Sequence, residues 1–354
     1  MFPSIALTVL TGFLGAGKTT LVNHLVRQPE LTGCAVLINE FGEVGIDHHL
    51  VEKLDDNLVL MESGCLCCTV RGDLTRSLRE LFMRSVRREI APLTRVIVET
   101  TGLADPAPVI YTLIHDFFIA ERFRLDGIVT AVDVTHAGRQ LARHFEAVKQ
   151  VAMADRLLLT KCDLAGPEQI ERTKRLIGRL NPGALRVRVA DGRVKPADVL
   201  DCGLYNPSTK SADVGRWLAF EATAAADSHE GHGHDANRHG EVETFALRFE
   251  QPVAWGDFST ALDMLQTTVG ERLLRVKGIV NVAGEVAPRV IQCVHHERYP
   301  DAALPGWPDQ DCSTRLVFIV RGLPRSLIEH AFASFCGLVP SSGNSPANRT
   351  ARSG

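Results

Sequence analysis

The sequence predicts a doubly wound α/β fold with a mostly parallel sheet, followed by a smaller α+β domain, and three observations carry that prediction. Short β-branched runs alternate with amphipathic stretches of helix length from residue 4 to about 200. A glycine-rich turn follows the first of those runs. Beyond residue 240, strand-like segments succeed one another with few helices between them. Apolar strands separated by helices build a parallel sheet covered on both faces, whereas successive strands build a sheet with its helices segregated.

Taken in order, "IALTVLT" (5–11) reads as the first buried strand, and a helix starts near Lys18. "CAVLIN" (34–39), "TRVIVE" (94–99), "DGIVTAVDV" (126–134), "DRLLLT" (155–160) and "LRVRVA" (185–190) read as further strands. Residues 222–240, "ATAAADSHEGHGHDANRHG", are small, polar and aperiodic, which describes a flexible linker. After it, "EVETFALRFE" (241–250) alternates like a strand and "WGDFSTALDMLQTTV" (255–269) has helical character. "RLLRVKGIVNV" (272–282), "PRVIQCVHH" (288–296) and "TRLVFIVRG" (314–322) read as strands, and "PRSLIEHAFASF" (324–335) as a helix. The second sheet is expected to be covered on one face. The implied division is a first domain over 1–221, a histidine-bearing linker over 222–240, a C-terminal domain over 241–338 and a tail of disordered composition over 339–354.

Hydrophobic residues make up 45% of the 354 positions and charged ones 23%, enough apolar material for a sizeable core. A formal net charge of −3 gives no sign of a nucleic-acid or polybasic membrane binder. The apolar start runs straight into the glycine turn without a basic region, so it reads as a strand rather than a leader, and a cytosolic location is expected. Nine cysteines, an odd number in a large chain, point to metal or redox chemistry more than to a disulfide framework.

The glycine turn is "GFLGAGKT", Gly12 to Thr19, which fits G-x-x-x-x-G-K-[ST] between a strand and a helix. Its glycines let backbone N–H groups converge on phosphate oxygens, and the helix that follows adds its positive end. The motif makes the first domain a P-loop NTPase. Lys18 is expected to reach the β- and γ-phosphates and Thr19 to ligate Mg²⁺. "VIVETTG" (96–102) ends a strand in Glu99, placed to hold the Mg²⁺ shell or orient an attacking water, with Gly102 after it. "LLLTKCD" (157–163) delivers Thr160, Lys161 and Asp163; the carboxylate suits guanine N1–H and N2–H₂, and the lysine stem can lie over the base. A T-K-x-D tetrapeptide alone is common, and its position behind a phosphate loop is what favours GTP.

"ESGCLCCTV" (62–70) puts Cys65, Cys67 and Cys68 into four positions. Thiolates at this spacing suit Zn²⁺ or another soft ion, and an incomplete ligand set suits a protein that must pass its metal on. A redox relay and plain buried cysteines are the competing readings. "INEFGEVGIDHHL" (38–50) supplies Glu40, Glu43, Asp47, His48 and His49 among glycines. Such a loop can be ordered by γ-phosphate and Mg²⁺ and released on hydrolysis, so Glu43 and Asp47 are candidate metal ligands; a solvated acidic loop is the alternative.

"LTGFLGAGKTTL", "NEFGEVGID", "GCLCC", "ETTGLADP" and "TKCDL" resemble, in order and spacing, the CobW-like GTPase family, close to its YjiA-type members. "LLRVKGIVNV", "VIQCVHH", "LPGWPDQD" and "STRLVFIVRGLP" are similar to that family's C-terminal domain, so the likeness spans residues 4–335. The resemblance implies a slow GTPase (GTP and water to GDP and phosphate) that binds zinc, or another metal such as Co²⁺, and serves a client metalloprotein. By that resemblance Gly12, Gly15, Ala16, Gly17, Lys18, Thr19 and Thr20 hold phosphates and Mg²⁺. Glu99 and Gly102 fill the E-x-x-G motif, Lys161 and Asp163 the base-reading motif, and Cys65, Cys67 and Cys68 become metal ligands. Thr160 stands where many members have Asn, a departure expected to weaken guanine specificity slightly. Ile38 stands where close relatives often carry Glu, which removes one candidate ligand. His229, His232 and His234 of the linker either collect metal or belong to a solvated spacer; His295 and His296 receive no role.

The expected function is therefore a GTP-hydrolysing metallochaperone that couples the nucleotide to metal transfer. A metal sensor or store with incidental turnover, and a cobalamin-type cofactor assembly factor, are the alternatives. A client metalloprotein and a nucleotide- or metal-dependent homodimer are the expected partners, with no nucleic acid and no membrane.

Overall fold

The structure, a computed structural model, describes residues 4–38, 59–62, 70–202 and 242–340. Two sheets organise them. The first has seven strands, β1 (Ile5–Gly12), β2 (Cys34–Ile38), β3 (Val59–Glu62), β4 (Arg95–Glu99), β5 (Phe123–Asp133), β6 (Arg156–Thr160) and β7 (Leu185–Arg188), in the order β3-β2-β4-β1-β5-β6-β7. Every pairing is parallel. The helices between them are α1 (Lys18–Leu25), α2 (Val70–Val86), α3 (Ala107–His115), α4 (Phe117–Arg122), α5 (Ala137–Arg143), α6 (Phe145–Met153), α7 (Pro167–Leu180) and the single turn α8 (Pro196–Val199).

Side chains alternate across a strand, so β1 sends Leu7 and Val9 to one face and Leu10 to the other. The first face packs on Leu78 and Leu81 of α2 and Ile110 of α3, the second on Leu21, Val22 and Leu25 of α1. Each fully buried leucine contributes roughly 2 kcal/mol of transfer free energy. α7 shows how patterning fixes docking: Ile170, Thr173, Ile177 and Leu180 fall on one buried stripe, and Pro167 begins the helix where its missing N–H costs nothing.

The second sheet contains β8 (Val242–Phe249), β9 (Leu273–Val280), β10 (Arg289–Val294), β11 (Glu297–Arg298), β12 (Ala302–Ala303) and β13 (Thr314–Arg321), all antiparallel, ordered β11-β10-β9-β13-β8 with β12 on β10. Two helices, α9 (Trp255–Val269) and α10 (Arg325–Cys336), cover one face through Phe258, Leu262, Leu265, Ile328 and Phe332. The other face is not open, which corrects the expectation of a sheet covered on one side. Leu274 and Ile319 pack on Ala152 of α6. Asp155, ahead of β6, receives Arg275 at 2.5 Å and Lys277 at 2.6 Å, all three buried. The strand β3 was not expected from sequence, and neither were the two-residue β11 and β12.

Among the described residues, no helix is long and apolar enough to cross a membrane. The 222–240 linker and the tail from residue 341 lie outside the described residues.

Candidate nucleotide site

In open parallel sheets ligands bind beyond the carboxyl ends of the strands, where the chain order reverses. β1 lies at that point, flanked by β4 and β5. Its last residue, Gly12, has φ of 143°, and a Cβ there would sit 2.4 Å from the Ala131 carbonyl of β5. The glycine is what lets the chain leave the sheet. Gly17, at φ 85°, then admits the start of α1. Lys18 is buried and curls back over the turn, donating to the carbonyls of Gly12 at 2.9 Å and Phe13 at 3.5 Å. The ammonium thus stands over the loop that N–H donors from Gly15, Ala16 and Gly17 are expected to line.

Glu99 ends β4, buried, in register with Leu10 of β1 and Ile38 of β2. Its Oε1 accepts from the Thr19 hydroxyl at 3.0 Å. A hydroxyl and a carboxylate so close at a phosphate loop form the hard-oxygen donor set that fits Mg²⁺. The next residues are tied down on every side. The Thr100 hydroxyl donates to Thr11 at 2.8 Å, and Gln150 of α6 donates to the carbonyls of Gly102 and Ala104. Asp105 binds Lys149 of α6 at 2.6 Å. Gly102 is required by closeness: a Cβ would meet Leu14 atoms at 2.6 to 2.8 Å.

On the other side of β1, β6 brings Thr160, Lys161 and Asp163 to the same edge. Thr160 is buried, and its hydroxyl donates to the Ala16 carbonyl at 2.8 Å. It therefore clamps the loop after β6 to the glycine loop, and its side chain is engaged there. Lys161 has left-handed backbone (φ 57°) and its ammonium binds Asp133 at 2.8 Å. Asp163 accepts from the Asp191 N–H at 3.0 Å, and Gly192 lies so close to Thr20 that a Cβ would be 2.6 Å from its methyl. The loop after β7 thus adds a wall to the site.

Sequence reasoning missed Asp133, Gln150, Lys149 and the Asp191–Gly192 turn. The signals available were a carboxylate closing the apolar "IVTAVD" strand and an Asp-Gly pair after β7.

Glu40, Glu43, Asp47, His48 and His49, and the thiols of Cys65, Cys67 and Cys68, lie outside the described residues, as do His229, His232 and His234. Their strands do not. β2 stops at Ile38 and β3 at Glu62, paired in parallel, so the chain leaves both at the edge that carries Glu99. At strand spacing, β3 is about 10 Å from β4. Of the remaining cysteines, Cys34, Cys162, Cys202 and Cys293 are buried, and burial pushes Cys34 and Cys293 up to about 12, which keeps them as thiols. His295 and His296 serve the fold: their Nδ1 atoms meet the carbonyls of Gly270 (3.2 Å) and Gln266 (2.8 Å).

A strand, a glycine loop with its lysine on the following helix, and an acid from the neighbouring strand define a P-loop nucleotide-binding protein. The family profile described as "CobW/HypB/UreG, nucleotide-binding domain" matches residues 6–188, and "Cobalamin synthesis protein cobW C-terminal domain" matches 242–336. The chain belongs to the CobW/HypB/UreG family. It is 32% identical over 330 residues to the zinc chaperone YjiA of Escherichia coli, covering 93% of this chain and 98% of that one. To the zinc chaperone CobW of a Sinorhizobium species it is 28% identical, over 89% and 92% of the two chains. The crystal structure of Zn(II)-bound YjiA GTPase from E. coli superposes with a TM-score of 0.71 at 26% identity, covering 94% of this chain and 99% of that one. A variant of YjiA with one glutamate and two cysteines replaced by alanine is also Zn(II)-bound, with a TM-score of 0.72 at 27% identity.

Proposed function

We infer that this protein is a GTP-hydrolysing metallochaperone, which binds Zn²⁺ or a similar metal as cargo and couples the nucleotide cycle to its transfer to a client metalloprotein. One observation carries the reading: the segments bearing Glu43 and Asp47 and the three cysteines leave β2 and β3 at the sheet edge where Thr19 and Glu99 meet. The strand ends that precede both segments, Ile38 and Glu62, thus stand in register beside Glu99. Related proteins named as zinc chaperones and as a zinc-regulated GTPase metalloprotein activator support transfer over storage.

In this reading Gly12, Gly15, Ala16, Gly17, Lys18 and Thr20 hold the phosphates. Mg²⁺, held by Thr19 and the shell around Glu99, would neutralise charge on the β- and γ-oxygens. Lys18 exchanges its carbonyl partners for phosphate oxygens, and Glu99 orients the water. Thr160 holds the base loop against the phosphate loop, Lys161 walls the purine, and Asp163 reads guanine. The thiolates of Cys65, Cys67 and Cys68 carry the ion. The division we propose is a GTPase domain to residue 221, a linker to 240, a C-terminal domain to 338 and a tail beyond. A cytosolic location and nucleotide-dependent pairing of two copies belong to the same reading.

Because YjiA lacking two cysteines is still Zn(II)-bound, metal content alone is a poor test. The informative measurement is Zn²⁺ affinity with a non-hydrolysable GTP analogue and with GDP, in the wild type and in Cys67→Ala. A nucleotide-dependent difference of about tenfold or more, lost in the variant, is expected for a coupling of ordinary size. Equal affinities throughout would remove the metal switch. The C-terminal profile's link to cobalamin synthesis favours cofactor assembly as the second reading; strict preference for Co²⁺ over Zn²⁺ in the same titration would support it.

A further inference from the structure

β5 ends in a carboxylate to which neither the phosphate motif nor the base motif assigns a role. Asp133 is 2% exposed and stands beside Thr160 in the β5–β6 register. Its Oδ1 accepts the Thr135 N–H at 2.8 Å and the Thr135 hydroxyl at 2.5 Å. Its Oδ2 accepts the Lys161 ammonium at 2.8 Å and the His136 ring at 3.1 Å, where Nδ1 must carry the hydrogen because a carboxylate only accepts. Three of these four donors come from Thr135 and His136, two and three positions further on. The carboxylate is therefore oriented by its own loop, and Lys161 docks onto an anchor already in place.

The consequence falls on the lysine stem. Lys161 is fixed at its backbone by the left-handed turn that ends β6 and at its tip by Asp133. A free lysine carries rotamer entropy, which a ligand resting on it must remove. Here that ordering precedes the ligand. Burial alone would raise the Asp133 carboxyl, but Lys161, Thr135 and His136 together hold it below the usual carboxylate range, so the anchor stays ionised.

The geometry points to Asp133 as a positioning residue for the guanine nucleotide: it pre-sets the Lys161 stem as the wall on which the purine lies, raising affinity without choosing the base. The inference rests on the reading of Lys161 and Asp163 as the base-reading pair, and the test separates the two.

The experiment uses the full chain with a fluorescent N-methylanthraniloyl GDP, its inosine counterpart and steady-state GTP hydrolysis. Asp133→Asn should weaken GDP binding about tenfold, the scale of one side chain's ordering cost, with the loss falling on KM rather than kcat. The preference for GDP over IDP should hold, because Asp163 is untouched. Lys161→Met, which keeps part of the stem but not the charge, should lose a similar factor, and the double variant should lose no more than either. Additive losses, or a changed guanine preference in Asp133→Asn, would overturn the proposal. If Lys161→Met binds normally, the base-reading assignment fails and the proposal with it. If only Asp133→Asn binds normally, the assignment stands and the anchor does not. Should Asp133→Asn not fold, ¹⁵N spectra of the lysine ammonium groups decide the matter. The nucleotide-free wild type must show a solvent-protected signal that vanishes in Lys161→Met, and its absence overturns the anchor.

Discussion

Gly102 and Thr160 are single residues at which the candidate nucleotide site closes. Gly102 leaves room for Leu14, so Gly102→Ala should push the phosphate loop outward, because the atoms in the way include Leu14 backbone at 2.7 and 2.8 Å. Overpacking of this kind costs about 1–3 kcal/mol, and nucleotide affinity measured by isothermal titration should fall at least about tenfold. Thr160 offers the opposite contrast. Thr160→Val keeps the shape but strands the buried Ala16 carbonyl, a loss of about 1–3 kcal/mol in denaturant unfolding, whereas Thr160→Asn should restore a donor and most of the stability. The residue that departs from the family pattern thus has a physical task at the phosphate loop, which the tetrapeptide alone did not disclose.

The stretch from Glu99 to Asp105, with α6 behind it, behaves as one element. Gln150 and Lys149 hold it through three contacts, at Gly102, Ala104 and Asp105. Gln150→Leu should release it, speeding backbone hydrogen exchange at Thr101–Asp105 about tenfold while β4 stays protected. Unchanged exchange would mean that the segment is held by packing alone. The long apolar runs gave β1, β4, β5 and β6 within a few residues, since their period and flanking turns are local properties. β3 escaped because four residues carry too little pattern, and β11 and β12 are shorter still. The phosphate loop was legible for the same reason that it works: one contiguous turn makes the whole cradle. The Asp133 anchor was not, because its lysine lies 28 positions away and on another strand. Nor was Gln150, whose partners come from 46 and 48 residues earlier.

At the scale of the whole molecule, the two sheets meet over a buried charge cluster. Asp155 faces two cations, Arg275 and Lys277, while its Oδ2 accepts the Ile128 N–H at 2.9 Å. Burial alone would raise the Asp155 carboxyl; the two cations more than offset it and hold it below its usual range. Burial lowers Lys277, Asp155 restores part of that, and the ammonium ends near 8 against an ordinary 10.5. Between those values the unfolded chain holds a proton that the folded one has released, so stability rises with pH across that window. Below about 8 both states are protonated and the folded state bears the full cost of the buried surplus cation. Thermal unfolding should therefore show the wild type gaining on Lys277→Met from pH 8 to 10.5, and a flat difference would count against it. Asp155→Asn should cost about 3–5 kcal/mol at neutral pH, because it leaves Arg275 and Lys277 buried without their counter-ion.

That cluster also bears on how the protein can be dissected. Asp155 precedes the strand that delivers Thr160, Lys161 and Asp163, yet both its cationic partners are borrowed from β9, 120 and 122 positions downstream. A fragment cut before Val242 would strip the nucleotide-binding half of these counter-charges and lay bare Ala152, which packs on Leu274 and Ile319. Such a piece would be a wounded half-molecule, and its sluggishness toward nucleotide would say little about the intact one.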